Sequence, residues 1–321
     1  GSKIFTKNLC QKHQIPTAKF GIFKNMNDAL HFSNNSNYPI VIKADGLASG
    51  KGVYICEKKK DSEIAINEIF KGKFGVANNL LIEEFLVGEE MSYFIVTDGK
   101  TIKKFGTAQD HKRAFEGDLG KNTGGMGAYS PSRLIDDELE KKIIDRIVEP
   151  TLKGLKEIGT NYKGFLYVGL MIVKGDPYLI EYNVRMGDPE CQTILPRLNS
   201  SLINIFIACC EGKLDQCKIK WHNKKSLCIV VCSKGYPDTF KKNLLINNIE
   251  KIKLSADEYL YHASTTRVND EVFSSGGRVL NFVCLSKDFL EARKKNFKLI
   301  NQLDWNEGFY RKDIGYKVID K

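Results

Sequence analysis

The sequence has no long apolar run and no charged-then-apolar segment at its start. Membrane spans and a cleaved leader are therefore not expected, and a soluble, cytoplasmic protein is predicted. It also has no C-x-x-C pair. Its nine cysteines (Cys10, Cys56, Cys191, Cys209, Cys210, Cys217, Cys228, Cys232 and Cys284) are odd in number and mostly set in apolar runs such as I-F-I-A-C-C and L-C-I-V-V-C. That pattern argues against zinc and against a disulfide framework, and for small buried thiols in a reducing compartment. A basic strip interleaved with aromatics is missing too. The net charge is +10, yet the lysines are scattered, with only short clusters such as Lys58 to Lys60. No nucleic-acid surface is expected; a lysine-rich solvated surface accounts for the charge, and its field favours anionic substrates.

What is present is ordinary globular material in quantity. At 321 residues, 42% hydrophobic and 27% charged, the chain is long enough for two or three domains with sizeable cores. Periodicity predicts a helix over 1–13 with Ser2 as N-cap, a short helix over 27–33, a helix over 61–70, an amphipathic helix over 137–159 and an apolar core helix over 198–210. Strands are predicted at 39–44, 53–56, 226–232, 258–264 and 278–284, hairpins at 91–105 and 163–183, and a last helix at 287–302. The second hairpin is expected to turn at Gly175-Asp176-Pro177. Between 108 and 131 the sequence is polar, glycine-rich and without period; such a long loop is either functional or disordered.

Several stretches carry chemistry. The segment K-A-D-G-L-A-S-G-K-G-V places Gly46, Gly50, Lys51 and Gly52 between two β-branched runs. Glycines let backbone N–H groups close on phosphate oxygens, and Lys43 on the incoming strand is placed to reach the same anion. A Walker A loop is excluded, because three residues separate the glycines and Gly52 follows Lys51. A plain flexible turn is the competing reading. In I-E-E-F-L-V-G-E-E the acids Glu83, Glu84, Glu89 and Glu90 suit either a solvated strand end or a purine site, with adenine on the backbone of Glu84, Phe85 and Leu86 and ribose on Glu90.

In Tyr178 to Glu190, strand alternation sets Glu181, Asn183 and Arg185 on one face and Tyr182 and Val184 on the other, core, face. A carboxylate, an amide oxygen and a guanidinium in a row suit a hard cation and the phosphate it neutralises: Mg²⁺ on Glu181 and Asn183, phosphate on Arg185. A solvent-facing polar row on an edge strand would look similar.

Taken together, the glycine loop between strands, the E-E-F-L stretch followed by an acid and the E-Y-N-x-R ending resemble the ATP-grasp superfamily. Closer still, K-A-D-G-L-A-S-G-K-G-V, I-E-E-F-L-V-G-E-E, Q-D-H-K-R, N-T-G-G-M-G-A-Y-S-P, G-F-L-Y-V-G-L-M-I and R-M-G-D-P-E-x-Q resemble the phosphoribosylamine–glycine ligase family of purine biosynthesis. Later matches are S-K-G-Y-P, G-G-R-V-L and R-K-D-I-G, so the similarity runs from Gly1 to about Asp320.

The resemblance implies an α+β chain with an ATP-grasp fold, two α+β lobes with ATP between them, plus a C-terminal β-rich domain. The domains expected are 1–214, with 38–88 as a smaller mobile lobe, and 218–321. It implies lysines touching ATP phosphates at Lys3 and Lys43, a flap from Gly46 to Gly52, adenine contacts at Glu84 and Leu86, and a ribose ligand at Glu90. Glu181 and Asn183 become ligands for Mg²⁺ (or Mn²⁺), leaning on the nucleotide's own phosphates, and Arg185 faces the transferred phosphate. Asp188, together with Asp110, His111, Lys112 and Arg113 and with Asn122, Gly124, Gly125 and Gly127, is expected near glycine and the sugar phosphate. The implied reaction joins glycine to 5-phosphoribosylamine through glycyl phosphate, with no nucleic-acid or membrane partner. The family's N-terminal α/β domain, which shares in binding the sugar phosphate, is expected to be lacking before Gly1. Another ATP-grasp carboxylate–amine ligase is the alternative, and a basic nucleic-acid-binding protein a more distant one.

Overall fold

The computed structural model describes residues 2–46, 52–75 and 79–319. The chain divides into two compact units: Gly1–Glu90 with Asp136–Tyr162 and Val168–Asn183, and Met91–Ile135 with Lys163–Tyr167 and Val184–Lys321. Among the described residues no helix is long and apolar enough to cross a membrane. All nine cysteines are free thiols, and six of them are buried.

The first unit begins with helix Lys3–Lys12. Ser2 caps it as expected, its Oγ accepting the Phe5 N–H at 3.0 Å and so satisfying one of the helix's orphan donors. Four antiparallel strands follow in the spatial order Phe20–Phe23, Leu80–Glu84, Ile40–Ala44, Val53–Cys56. Alternation divides the two central strands cleanly. Ile40, Ile42, Ala44, Leu80 and Ile82 form one face and pack on Ala65, Ile66 and Ile69 of helix Lys59–Phe70. The opposite face carries Val41, Lys43, Leu81 and Glu83. Because Val41 pairs with Glu83 and Lys43 with Leu81, Lys43 and Glu83 are diagonal neighbours on that face, within reach of long side chains.

The helix predicted over 137–159 is present as Asp137–Ile143, a π turn at Ile144–Val148 and Glu149–Glu157. Pro150, which has no N–H to give to the preceding turn, lies just past the point where the helix widens. The hairpin strand Asp176–Asn183 is entered through Lys174 and Gly175, both at positive φ (50° and 83°), so the turn sits one residue earlier than expected. The strand also ends at Asn183. Val184 is 72% exposed instead of facing a core, and Arg185 lies beyond the strand in the second unit. Alternation cannot be carried past the last ladder residue, which is why the row predicted over 181–185 breaks after Asn183.

The second unit is built on an antiparallel run in the order Glu89–Thr97, Ile102–Asp110, Gly127–Ser130, Lys225–Ser233, Arg278–Ser286, Glu258–His262. Helix Phe289–Ile300 covers it, with Ala292, Leu299 and Ile300 in the core and buried Asn296 giving its Nδ2–H to Leu227 O at 2.9 Å. The stretch expected to be structureless from 108 to 131 is instead largely strand, including a hairpin of Arg113–Phe115 with Leu119–Asn122. The helix expected at 198–210 runs Leu202–Glu211. Only its Ile205 and Cys209 are buried, whereas Ile203 and Ile207 are exposed, since a helix resting on one layer buries one stripe of its circumference.

Candidate active site

In the first unit the diagonal pair becomes an ion triad. Glu83 offers one carboxylate oxygen to Lys43 and the other to Lys7, and all three side chains are buried. Burial pulls the Lys7 ammonium below the ordinary lysine value, with Glu83 pulling the other way. Lys7 also donates to Thr17 Oγ1, whose own hydroxyl donates to Leu179 O at 2.7 Å. The triad is therefore tied to the strand that carries Glu181 and Asn183.

Lys3 holds the entry to the glycine loop. Its Nζ donates to Ala44 O (2.9 Å) and Gly46 O (3.0 Å), while its backbone N–H meets Asp45 Oδ1 at 2.8 Å. Burial lowers its ammonium pKa, and the charges of Glu181 and Asp45 oppose the shift, so Lys3 stands in the field of Glu181. Gly46 has φ +93°, a conformation that side chains resist. Gly52 returns its carbonyl to Ala44 N at 2.8 Å. Gly50 and Lys51 lie outside the described residues.

At the other end of the sheet, exposed Glu84 accepts the Lys19 N–H at 2.8 Å. Phe85 and Leu86 follow half-buried, and the Glu90 side chain is exposed. Gly88 is required where it stands: a Cβ there would come within 2.3 Å of Ile172 O. Glu181 and Asn183 are half-buried, with Asn183 Nδ2 giving a 3.1 Å bond to Glu181 Oε1. These are two hard oxygen donors, and among the described residues no group of three or more His, Cys, Asp or Glu could hold a metal ion. That donor set fits a divalent cation that brings phosphate oxygens as its remaining ligands, the usual habit of Mg²⁺.

The second unit gathers another set. Arg278 donates from Nη1 to Gly124 O (2.7 Å) and Asp188 O (2.9 Å), and from Nη2 to Asp188 Oδ2 (2.9 Å). Gln192 Nε2 holds Asp188 Oδ1 at 2.7 Å. One guanidinium thus joins the Gly124 turn to the D-P-E turn. Gly125, at φ +117°, fits between them because a Cβ would lie 2.4 Å from Pro189 Cδ and 2.8 Å from Asp110 Oδ1. Beside this junction an open cavity of about 400 Å³ is lined by Asp188, Gln192, Tyr261, His262, Arg278 and Asn281.

The remaining predicted residues lie apart in role. His111 is fully buried, accepting Gly315 N–H on Nε2 at 3.0 Å, with Nδ1 facing Asp118 Oδ1 at 4.0 Å. Burial lowers its pKa, so the ring is neutral at pH 7. Lys112 is half-buried and its carbonyl takes the Thr123 N–H (2.7 Å); Arg113 donates to Gly120 O at 2.8 Å. Asn122 is exposed in the hairpin opposite Arg113, and Gly127 pairs with Ile229. Arg185 is exposed and donates to Met186 O at 2.9 Å.

Sequence reasoning passed over three residues that the structure brings into these networks. Lys7 had a visible signal, a charge three residues from Ile4 and from Cys10 on the apolar face of a helix. Arg278 lies inside G-G-R-V-L. Glu190 ends R-M-G-D-P-E; it is 4% exposed, and Ser92 Oγ donates to its Oε1 at 2.8 Å. Burial raises its pKa.

Comparison with known proteins gives two family matches in chain order: the phosphoribosylglycinamide synthetase ATP-grasp (A) domain over residues 1–191, and the phosphoribosylglycinamide synthetase C domain over 226–317. A phosphoribosylamine–glycine ligase of Brucella melitensis is 42% identical over 322 residues, covering 100% of this chain and 75% of its own length. An Escherichia coli protein of the same name is 43% identical over 325 residues, covering 100% of this chain and 76% of its own. Among solved structures, the phosphoribosylamine–glycine ligase of Thermotoga maritima matches with a TM-score of 0.86 at 32% identity, over 98% of this chain and 78% of that one. A biotin carboxylase domain of Hydrogenobacter thermophilus shares the fold alone, with a TM-score of 0.72 at 18% identity over 96% of this chain and 67% of that one.

Proposed function

The chain belongs to the phosphoribosylglycinamide synthetase family, and on that premise we infer an ATP-dependent carbon–nitrogen ligase that joins glycine to 5-phosphoribosylamine in purine biosynthesis. Its fold is the ATP-grasp fold with a family C domain after it. In the first step a glycine carboxylate oxygen attacks the γ-phosphorus of ATP, the bond to the β–γ bridging oxygen breaks, and ADP leaves glycyl phosphate behind. In the second, the amine nitrogen of 5-phosphoribosylamine attacks the glycyl carbonyl carbon, the bond to the phosphate oxygen breaks, and the nitrogen gives up a proton. Glycinamide ribonucleotide and inorganic phosphate result. No enzyme nucleophile is needed, so positioning and charge do the catalysis.

Residue roles follow from where charge is needed. The observation that supports the nucleotide half is the first unit's grouping of Lys3 and Lys43 with Glu181, cations for a polyphosphate beside an oxygen donor for its metal. We assign Lys3, Lys43 and the loop bounded by Gly46 and Gly52 to the ATP phosphates, the backbone of Glu84 to Leu86 to adenine, and Glu90 to ribose. Glu181 and Asn183 would hold Mg²⁺ (or Mn²⁺), which when bound offsets the charge of the phosphoryl group. In the second unit we assign Arg185 to the transferred phosphate, and Asp188, Asp110, Lys112 and the Gly124–Gly125 turn to glycine and the sugar phosphate, with Arg278 holding Asp188. The His111 main chain holds the residues that follow that turn, accepting the Met126 N–H at 2.9 Å and donating to Gly127 O at 2.8 Å. We place the domain boundary between 214 and 218, and a cytoplasmic location goes with the reaction.

The test is ADP release by the full-length protein with ATP and Mg²⁺, with glycine and 5-phosphoribosylamine added singly and together, and the product identified by mass. Release that needs both, with glycinamide ribonucleotide formed, is expected. Release driven by a different carboxylate, with glycine inert, would replace this reading with another ATP-grasp ligase.

A further inference from the structure

We propose that Lys7 is a positioning residue for nucleotide binding: by sharing the Glu83 carboxylate it keeps the charge of Lys43 available to the phosphates. The inference rests on the assignment of Lys43 to ATP. Lys7 has no part in that assignment, yet it is only 2% exposed, and a lysine is almost never buried so far without a reason that repays its desolvation.

The arithmetic of the triad gives the reason. Glu83 sits between two ammonium groups, one on each carboxylate oxygen, so the buried set Lys7, Glu83 and Lys43 carries a net charge of +1. Without Lys7, Glu83 and Lys43 would form a closed, neutral pair. A phosphate would then have to draw Lys43 away from a buried carboxylate with no other partner. With Lys7 present, Glu83 stays compensated while Lys43 turns toward the ligand. The device is anchored on three sides. Lys7 stands 5.3 Å from the centre of the Phe20 ring. It bonds Thr17, and Thr17 bonds the main chain of Leu179, two residues before Glu181. The amine that compensates Glu83 is thereby fixed relative to both the lysine strand and the carboxylate strand.

Charge counting makes a test that packing cannot imitate. MgADP binding is measured by titration calorimetry on wild type, Lys7→Met, Glu83→Gln and the double variant, with unfolding followed by circular dichroism. Lys7→Met lowers the local charge from +1 to 0 and is expected to weaken MgADP about tenfold. The double variant returns it to +1 and is expected to bind within about threefold of wild type. Glu83→Gln removes the carboxylate that holds Lys7 charged, so it and the double variant are expected to bind within about threefold of each other. If Lys7→Met binds normally, or if the double variant is as weak as Lys7→Met, the inference is overturned. Should Lys7→Met fail to fold, the double variant decides alone: binding within about threefold of wild type supports the inference, and a tenfold loss overturns it. Failure of the wild type to bind MgADP would instead overturn the nucleotide assignment on which the inference stands.

Discussion

Arg311→Met should loosen the hairpin of the second unit far more than its distance in sequence suggests. The Arg311 side chain is 1% exposed. Its guanidinium gives Nε and Nη2 to Asp313 (2.8 and 2.7 Å), and Nη1 to Asp118 Oδ1 (2.9 Å) and to Arg113 O (3.0 Å). Removing one partner of a buried ion pair costs about 3–5 kcal/mol, because the other charges are left uncompensated. Here the Asp118 and Asp313 side chains are 33% and 20% exposed and can recover some solvation, so the lower end, about 3 kcal/mol, is expected at pH 7. The pH dependence checks the cause. The facing His111 imidazole, the Tyr316 hydroxyl and Arg311 hold the Asp118 carboxyl well below the usual range. Burial opposes ionisation of Asp313, but its bonds to Arg311 and the Gly117 N–H outweigh that and lower its pKa too. Groups with depressed folded-state pKa values contribute stability that is present above about pH 4 and lost as pH falls through the folded value. The difference between variant and wild type should therefore shrink below pH 4. Two compact units make a single unfolding free energy unsafe, so the assay is hydrogen exchange on peptides covering 111–122. About 3 kcal/mol corresponds to a protection loss of roughly 100-fold. A loss under fivefold, or one of the same size at pH 7 and pH 3.5, would refute the clamp.

Three further substitutions test the other networks. Glu181→Gln, at the half-buried end of its strand, should leave the melting temperature within about 2 °C of wild type while turnover falls by about 100-fold or more; unchanged turnover would contradict its place at the metal. Arg278→Ala should raise the KM for glycine or for 5-phosphoribosylamine about tenfold, since it frees both Asp188 and the Gly124 turn, with the KM for ATP within about twofold; an equal rise for ATP would show general damage instead. Glu190→Gln removes a buried carboxyl whose pKa is raised by burial. Wild type gains full stability from that proton below about pH 4.3 and loses it as pH rises through the folded value. Thermal scans should accordingly show the variant gaining on wild type between pH 5 and pH 8, and a constant difference would mean that Glu190 is ionised throughout.

Local patterns announced themselves in the sequence where the physics is local. Ser2 before an amphipathic run, β-branched residues at 40–44 and 53–56, and the apolar periods of the last helix each specify their element within a few residues. Misreadings arose where a longer-range partner decides. The 108–131 stretch shows no period because its strands are short and its hairpin is tied down by Arg311, Asp313 and Tyr316, nearly two hundred residues later. The helix at 202–211 is apolar nearly all round, so its composition could not say which stripe is buried.

The site residues divide along the same line. Lys43, Glu181 and Asn183 could be singled out because a strand's period of two gives each a face, and the face has a chemistry. The roles of Lys7 and Arg278 could not be read the same way: the apolar helix face around Lys7 signals burial, but what each residue does lies in what it touches, a carboxylate on a strand 76 residues away by number and a turn 154 residues away. A lysine on a helix has no evident partner until register places Glu83 opposite it. Once Val41 is paired with Glu83, the face of that sheet has one carboxylate for two buried lysines, and the extra positive charge is no longer incidental. In both units the groups assigned above to ligands are legible from sequence, while the groups proposed to keep them charged and aimed are supplied by distant parts of the chain. Substitutions at the second kind of residue should therefore change affinity and pH dependence before they change the fold.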